Sequence, residues 1–191
     1  MKTRCPWPSH NPLMIEYHDT EWGVPLHDDR KIFEFMVLDA FQAGLSWAIV
    51  LKKREGFRKA FDNFEPEKIA RYTEKKIQKL LQDEGIIRNK LKVNATVTNA
   101  KQFLAVQKEF ETFDKYIWQF TGGKTIHNDL KKLSQIQAKS KESDAMSKDL
   151  SERGFKFVGS TICYAFMQAA GMVNDHMMDC FRYKKIRSGK G

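Results

Sequence analysis

Glu84-Gly85-Ile86-Ile87-Arg88-Asn89-Lys90 is the stretch from which the fold is read. Upstream, Thr73 can cap a segment in which Ile77, Leu80 and Leu81 recur at three- and four-residue spacing, the period of a helix with one apolar face. Gly85 ends that segment. Downstream, from about Asn89 to Lys108, the residues Leu91, Ala95, Ala100, Phe103 and Leu104 repeat the period. Two helices are therefore predicted to meet across a very short hairpin. Backbone amides exposed at such a turn, beside Arg88 and Lys90, suit one phosphate group. Many helical hairpins of this kind bind nothing.

Outward from the hairpin the period stays helical. Asp28-Asp29 predicts a helix through Ile32, Phe33, Met36, Val37 and Ala40. Ser46 predicts the start of the next, with Trp47, Val50, Leu51 and Phe57 inward. Pro66 suits a first helical turn, and Phe113, Ile117 and Phe120 mark a short helix. Ser143 and Ser160 open helices ended by Gly154 and Gly171. No segment alternates with period two, so an all-α fold is expected. Gly122 to Glu142 reads as a lysine-rich loop with short helical pieces. Residues 29–120 are expected to form a central helical block around their own core. Residues 1–28, irregular and aromatic-rich, join 121–183 in a second lobe, so that 1–183 is one unit. Residues 184–191 read as a basic, disordered tail.

Composition narrows the class. Fourteen Phe, five Tyr and four Trp in 191 residues can build a core without disulfides. Three Cys, an odd count, argue against a disulfide framework and fit a reducing compartment. Lys and Arg total 33 against 24 Asp and Glu; the excess of +9 favours a polyanionic partner, nucleic acid first. The longest nearly apolar stretch, Ile162 to Val173, is interrupted by Gln168 and too short to span a bilayer. Met1 to Pro6 leads into no apolar signal segment, so a soluble cytoplasmic protein is expected.

Three groups of residues carry candidate chemistry. Cys5 and His18 lie near the start, and His176 and Cys180, spaced i, i+4, near the end. On a helix the second pair shares a face. Two Cys and two His make a structural zinc composition, which would clip the irregular N-terminal arm to the C-terminal helix. They also read as incidental thiols and ordinary polar histidines, because a lone His-x-x-x-Cys pair arises by chance. Cys163, in an apolar helix, reads as core. Trp7, Tyr17, Trp22 and Trp47 can stack on bases, or simply close the core. Asp39 sits near the apolar edge of its helix, where a carboxylate seldom sits without a partner. After it, Gln42-Ala43-Gly44-Leu45-Ser46-Trp47 breaks two helices. Gly44 permits close backbone approach, and Leu45 projects from the turn as a possible wedge between base steps. Equally, this is a plain helix–helix turn.

Taken together, the strings Tyr17-His18-Asp19-x-Glu21-Trp22-Gly23-Val24-Pro25, Gln42 to Trp47, Gly85 to Arg88, and Arg153 to Tyr164 running on to Asn174-Asp175-His176 resemble the bacterial DNA-3-methyladenine glycosylase I family. That family is a branch of the helix–hairpin–helix glycosylases, and the resemblance spans about Cys5 to Cys180. It implies a monofunctional enzyme of base excision repair. Such an enzyme hydrolyses the N-glycosidic bond of alkylated purines, chiefly 3-methyladenine, and no lysine is placed for lyase chemistry. It implies structural zinc on Cys5, His18, His176 and Cys180. Tyr17 and Trp47 would wall the pocket for the flipped base, with Met14, Trp7, Trp22 and Phe41 around them and Asp39 as the catalytic carboxylate. Gly44, Leu45, Gly85, Ile86, Ile87, Arg88 and Lys90 would hold double-stranded DNA. The protein would act as a monomer at the nucleoid. Three positions depart from the family. It usually has glutamate where Asp39 stands, tyrosine where Met14 stands and glutamine where Phe41 stands. Asp is shorter by one methylene, about 1.5 Å of reach. These departures leave open an altered base preference, or a non-catalytic protein that binds alkylated DNA.

Overall fold

The computed structural model of the chain describes residues 2–189. Among them, ten α-helices run α1 Pro12–Thr20, α2 Asp29–Gln42, α3 Trp47–Ala60, α4 Pro66–Ile69, α5 Glu74–Leu80, α6 Lys90–Phe110, α7 Phe113–Trp118, α8 Lys141–Glu152, α9 Ser160–Ala169 and α10 Phe181–Arg187. Local chemistry explains most boundaries. Asp28, Thr73 and Asn89 each accept a hydrogen bond from an amide in the first turn of α2, α5 and α6, as their positions predict. Ser46 stands at the start of α3 but makes no side-chain cap.

Helix α2 is the axis of the molecule. Every residue from Ile32 to Phe41 is buried, because α3, α6, α7 and α9 all pack on it. Phe33 meets Phe103 of α6, which stacks on Phe113 of α7. The hairpin between α5 and α6 leans on α3, backbone against backbone. A Cβ at Gly56 would lie 2.1 Å from the carbonyl oxygen of Gly85, so only glycine admits that approach. Ile86 is buried and anchors the turn.

The structure differs from the sequence reading in four places. Residues 1–28 are not irregular throughout: Asn11 caps α1 through its side chain and Pro12 fills the first helical position. Arg54 of α3 clamps this helix from below. It donates to Glu21 at 2.8 Å and to Glu34 of α2 at 2.6 Å. Second, α8 begins at Lys141. Ser140 is its cap, and Ser143, expected to open the helix, answers from the first turn as the reciprocal half of a capping box. Third, Ile126–His127 and Val173–Asn174 pair as two short parallel strands, so the fold is mostly rather than purely helical. Fourth, the expected tail starts as helix: Lys184 to Arg187 complete α10, and Arg187 bonds Asp129 at 2.6 Å. Lys190 and Gly191 of that expected tail lie outside the described residues. Among the described residues no helix is long and apolar enough to cross a membrane.

Candidate functional site

Helix α1 faces two ways. Residues Tyr17 and His18 are neighbours in sequence and both are buried. A rotation of about 100° per residue sends them to different faces. Tyr17 enters an open cleft, and His18 enters a cluster of sulfur and nitrogen atoms.

The cleft is lined by Trp7, Met14, Tyr17, Trp22, Asp39, Gln42, Trp47, Leu133, Ile136, Ala165 and Gln168. The aromatic rings form a continuous wall. Tyr17 and Trp47 have centroids 5.3 Å apart with planes inclined at 51°, and Trp7 meets Trp22 edge-on at 4.9 Å. A ring inserted between two others needs about 7 Å between them. Tyr17 and Trp47 therefore do not sandwich a base. They form an angled platform against which one face of a base can lie.

Asp39 borders this platform. It is 4% exposed, and its Oδ2 has no hydrogen-bond partner among the described residues. Burial pushes its carboxyl well above the usual carboxylate range, because the charged form loses its water. Two neighbours respond to any charge placed there. Burial first, then proximity to Asp39, raise the Tyr17 hydroxyl. The same two causes push the Cys163 thiol up to about 12. Cys163 is otherwise a core residue, as expected, with its Sγ on the Val158 carbonyl oxygen.

Phe41 does not reach the cleft. Its side chain is fully buried on the far face of α2, against Phe57 with centroids 4.7 Å apart. Gln42 lines the cleft instead. Helical spacing gives the reason: Asp39 and Gln42 are three apart and share a face, whereas Phe41 is two from Asp39 and points away. That i, i+3 relation was the available signal for Gln42. Leu133 and Ile136, from the long loop before α8, and Ala165 and Gln168 of α9 carried no local signal. Only the tertiary fold brings them in. Gln168 is oriented by Asp175, which accepts from its Nε2 at 2.8 Å.

Beyond the cleft lie the residues expected at the DNA. Gly44 has φ +79°, a left-handed conformation that favours glycine, and it turns Leu45 outward to 40% exposure. At the hairpin, the Gly85 amide donates to Asp83 Oδ1 and the Asn89 amide to the Ile87 carbonyl oxygen. The amides of Ile87 and Arg88 make no hydrogen bond among the described residues. Arg88 and Lys90 are exposed beside them, while the Ile86 side chain faces the core and touches nothing outside.

The second cluster is closed. His176 and Cys180 do not share a helix face as their spacing suggested: residues 176–180 form a turn, and Cys180 is the cap before α10. One ligand atom each from Cys5, His18, His176 and Cys180 lies within 4.8 Å of every other, and all four residues are buried. The histidines are aimed from behind. The His18 Nδ1 lies 2.8 Å from Asp19 Oδ1, and its Nε2 turns to the Cys180 sulfur at 3.5 Å. The His176 Nε2 lies 2.9 Å from the Trp22 carbonyl oxygen, which fixes the proton there and leaves Nδ1 for the cluster. The Cys5 and Cys180 sulfurs each lie 3.6 Å from His176 Nδ1. The neighbouring Cys180 and burial raise the Cys5 thiol, whereas the surrounding donors lower that of Cys180. This donor set can hold one metal ion.

These features define a small helical protein with an aromatic cleft, an outward-projecting Leu45 and an exposed hairpin. The chain belongs to the methyladenine glycosylase family, whose model matches residues 7–183. It is 49% identical over 180 residues to the DNA-3-methyladenine glycosylase of Haemophilus influenzae, covering 94% of this chain and 97% of that one. A crystal structure of 3-methyladenine DNA glycosylase I superposes with a TM-score of 0.91 at 49% identity, over 94% of this chain and 98% of that one. A further 3-methyladenine DNA glycosylase I, solved as a variant in complex with 3-methyladenine, gives a TM-score of 0.91 at 33% identity, over 93% and 96% of the two chains.

Proposed function

We propose that the protein is a monofunctional DNA glycosylase. It extrudes 3-methyladenine from double-stranded DNA into the aromatic cleft and hydrolyses its N-glycosidic bond, with a structural zinc ion on Cys5, His18, His176 and Cys180. One observation carries the reading. Four buried side-chain polar atoms lack a partner among the described residues, and three of them, Asp39 Oδ2, Trp7 Nε1 and Trp47 Nε1, belong to residues that line this one cleft. Folded proteins rarely leave such atoms unpaired. A cleft that gathers three of them is built for a polar ligand that supplies the missing bonds.

The chemistry of the ligand fits. A deoxyadenosine methylated at N3 carries positive charge on the base, and its bond to the sugar is already weakened. Extruding it costs a few kcal/mol, less than for an undamaged pair. Stacking on Tyr17 and Trp47 offsets part of that cost, and a cation on an aromatic face adds attraction. The cation also lowers the Asp39 carboxyl, because an adjacent positive charge favours the carboxylate, and any proton held there is lost to solvent. Water then bonds to the sugar C1′ and the C1′–N9 bond breaks. Its electron pair neutralises the base, and the water proton is released to solvent. A carboxylate beside the cationic base and the developing positive charge at C1′ stabilises both by charge.

Zinc fits the donor set: two sulfurs and two ring nitrogens form a closed tetrahedral composition with no place for a substrate. It would supply folding stability by tying α1 to the residues before α10. The free amides of Ile87 and Arg88 support a phosphate grip at the hairpin, and the exposed Leu45 supports a wedge.

Chromatography of bases released from methylated duplex DNA tests the reading. Free 3-methyladenine is the expected product. Tight binding to methylated DNA with no released base, at enzyme in excess, would reject the enzymatic reading and favour a non-catalytic alkylated-DNA-binding protein.

A further inference from the structure

The last turn of α2 ends next to the Gly44–Leu45 turn and contains Gln42. A helix of this kind leaves its final carbonyl groups without partners. Here the Leu45 amide donates to the Gln42 carbonyl oxygen at 2.6 Å. The carbonyls on either side are taken by a single side chain from elsewhere. Lys92 Nζ donates to Phe41 O at 2.9 Å and to Ala43 O at 2.6 Å. Lys92 is 6% exposed and makes no ion pair with a carboxylate among the described residues. A buried ammonium without a counter-ion is costly, and an ordinary packing position would hold an apolar residue. Its place at the negative end of α2 supplies what a carboxylate would otherwise give.

Lys92 also belongs to the hairpin. It stands in the first turn of α6, and its own amide donates to the side chain of Asn89, the residue that caps that helix. The Asn89 amide in turn closes the hairpin on the Ile87 carbonyl oxygen at 2.9 Å. One residue thus joins the hairpin that faces the DNA backbone to the turn that projects Leu45.

We infer that Lys92 is a positioning residue for base extrusion: it fixes the distance between the hairpin grip on the backbone and the Leu45 wedge, so that holding the strand drives the wedge into the duplex. The inference rests on the glycosylase reading. Lys92 touches no substrate, and its contribution falls on the step that opens the duplex. Asp39 lies one turn earlier in α2, and neither of the Lys92 Nζ bonds reaches it.

Two variants test this, Lys92→Met, which keeps the length and loses every donor, and Lys92→Gln, which keeps donors for the two carbonyls. Three quantities are measured for each: the single-turnover release rate from methylated duplex DNA, the rate from the same DNA after heat denaturation, and the affinity for free 3-methyladenine by tryptophan fluorescence. Loss of charge-assisted bonds to two carbonyls is expected to slow release from duplex on the order of tenfold in Lys92→Met. Release from single strands needs no pair to be opened and should fall by less than roughly threefold, with free-base affinity similarly preserved. Lys92→Gln should lie between Lys92→Met and the parent. A general loosening of the fold moves all three quantities together. Equal losses on duplex and single strands, or no loss on duplex, would overturn the inference. Should Lys92→Met fail to fold, the ratio of duplex to single-strand rates in Lys92→Gln decides by the same criterion. If the parent protein itself releases base from neither substrate, it is the glycosylase reading that has failed.

Discussion

The molecule contains two buried polar clusters on either side of α1, and they are built on opposite terms. In the Cys5, His18, His176 and Cys180 cluster every group is answered: sulfurs face ring nitrogens, and the far nitrogens of both rings meet Asp19 and the Trp22 carbonyl. In the cleft, Asp39 Oδ2 and two indole N–H groups are answered by nothing among the described residues. Trp22 belongs to both, since its ring walls the cleft while its carbonyl orients His176. A closed polar set needs only an ion to lock it and serves architecture. An open set waits for a ligand that brings its own hydrogen bonds and charge. The two are coupled mechanically, because α1 delivers Tyr17 to one and His18 to the other.

The largest effect should come from opening the closed cluster. Cys180→Ala, or exhaustive chelation, is expected to remove stoichiometric zinc and lower the thermal midpoint on the order of 10 °C, since structural zinc contributes several kcal/mol or more to folding. Base release should fall with it, because α1 loses its anchor. A metal-free preparation with an unshifted midpoint would show that the cluster is held by its hydrogen bonds alone. Next comes the contrast within α2. Phe41→Ala should cost about 3–5 kcal/mol in chemical denaturation, as a filled core site is emptied. Gln42→Ala should cost under about 0.5 kcal/mol, as a change near the surface, yet slow base release. If Phe41→Ala left stability intact and instead changed base preference, its placement in the core would be wrong.

Asp39 distinguishes the open cluster from a mere packing flaw. Its carboxyl is raised by burial, so above about pH 4 the unfolded chain gives up a proton that the native state keeps. Native stability therefore falls as pH rises through that window. Asp39→Asn removes this loss, and its melting temperature should gain on the parent progressively from pH 4 towards neutrality. The same change should slow release of 3-methyladenine by on the order of 10- to 100-fold, the worth of one charge-assisted hydrogen bond. Greater stability with less activity is the signature of a group kept for a ligand. A parallel loss of both would place Asp39 among the structural residues.

Much of this was legible along the chain because it depends on local chemistry. The hairpin announced itself through Gly85 between two helical periods, and Asp28, Thr73 and Asn89 marked helix starts through their side-chain oxygens. The four Cys and His positions could be picked out by residue type. What stayed hidden depends on the third dimension. Helix α1 is nine residues long with a weak apolar stripe, and it is stabilised by Arg54 and the Cys/His cluster rather than by its own pattern. Phe41 was expected at the pocket from the resemblance, but it packs on Phe57 in the core, and the i, i+3 spacing from Asp39 points to Gln42 instead. Leu133 and Ile136 reach the cleft from a loop whose path no periodicity specifies.

The smallest effect tests the outer edge of the comparison, where the protein is open to a macromolecule rather than a base. At the hairpin the free amides of Ile87 and Arg88 and the half-exposed Arg88 guanidinium face outward, and the nearest carboxylate to that guanidinium, Glu84, stands off at 3.8 Å. A surface pair at that distance is worth little, so Arg88 remains available to a phosphate. Each phosphate neutralised on duplex DNA contributes about −0.9 to the slope of log affinity against log salt. Arg88→Gln should make that slope shallower by about one unit and weaken binding to any duplex sequence alike. Release of base at saturating enzyme should hardly change, since the residue touches backbone and not the lesion. An unaltered slope would move the phosphate grip away from Arg88 and leave the hairpin amides to act alone.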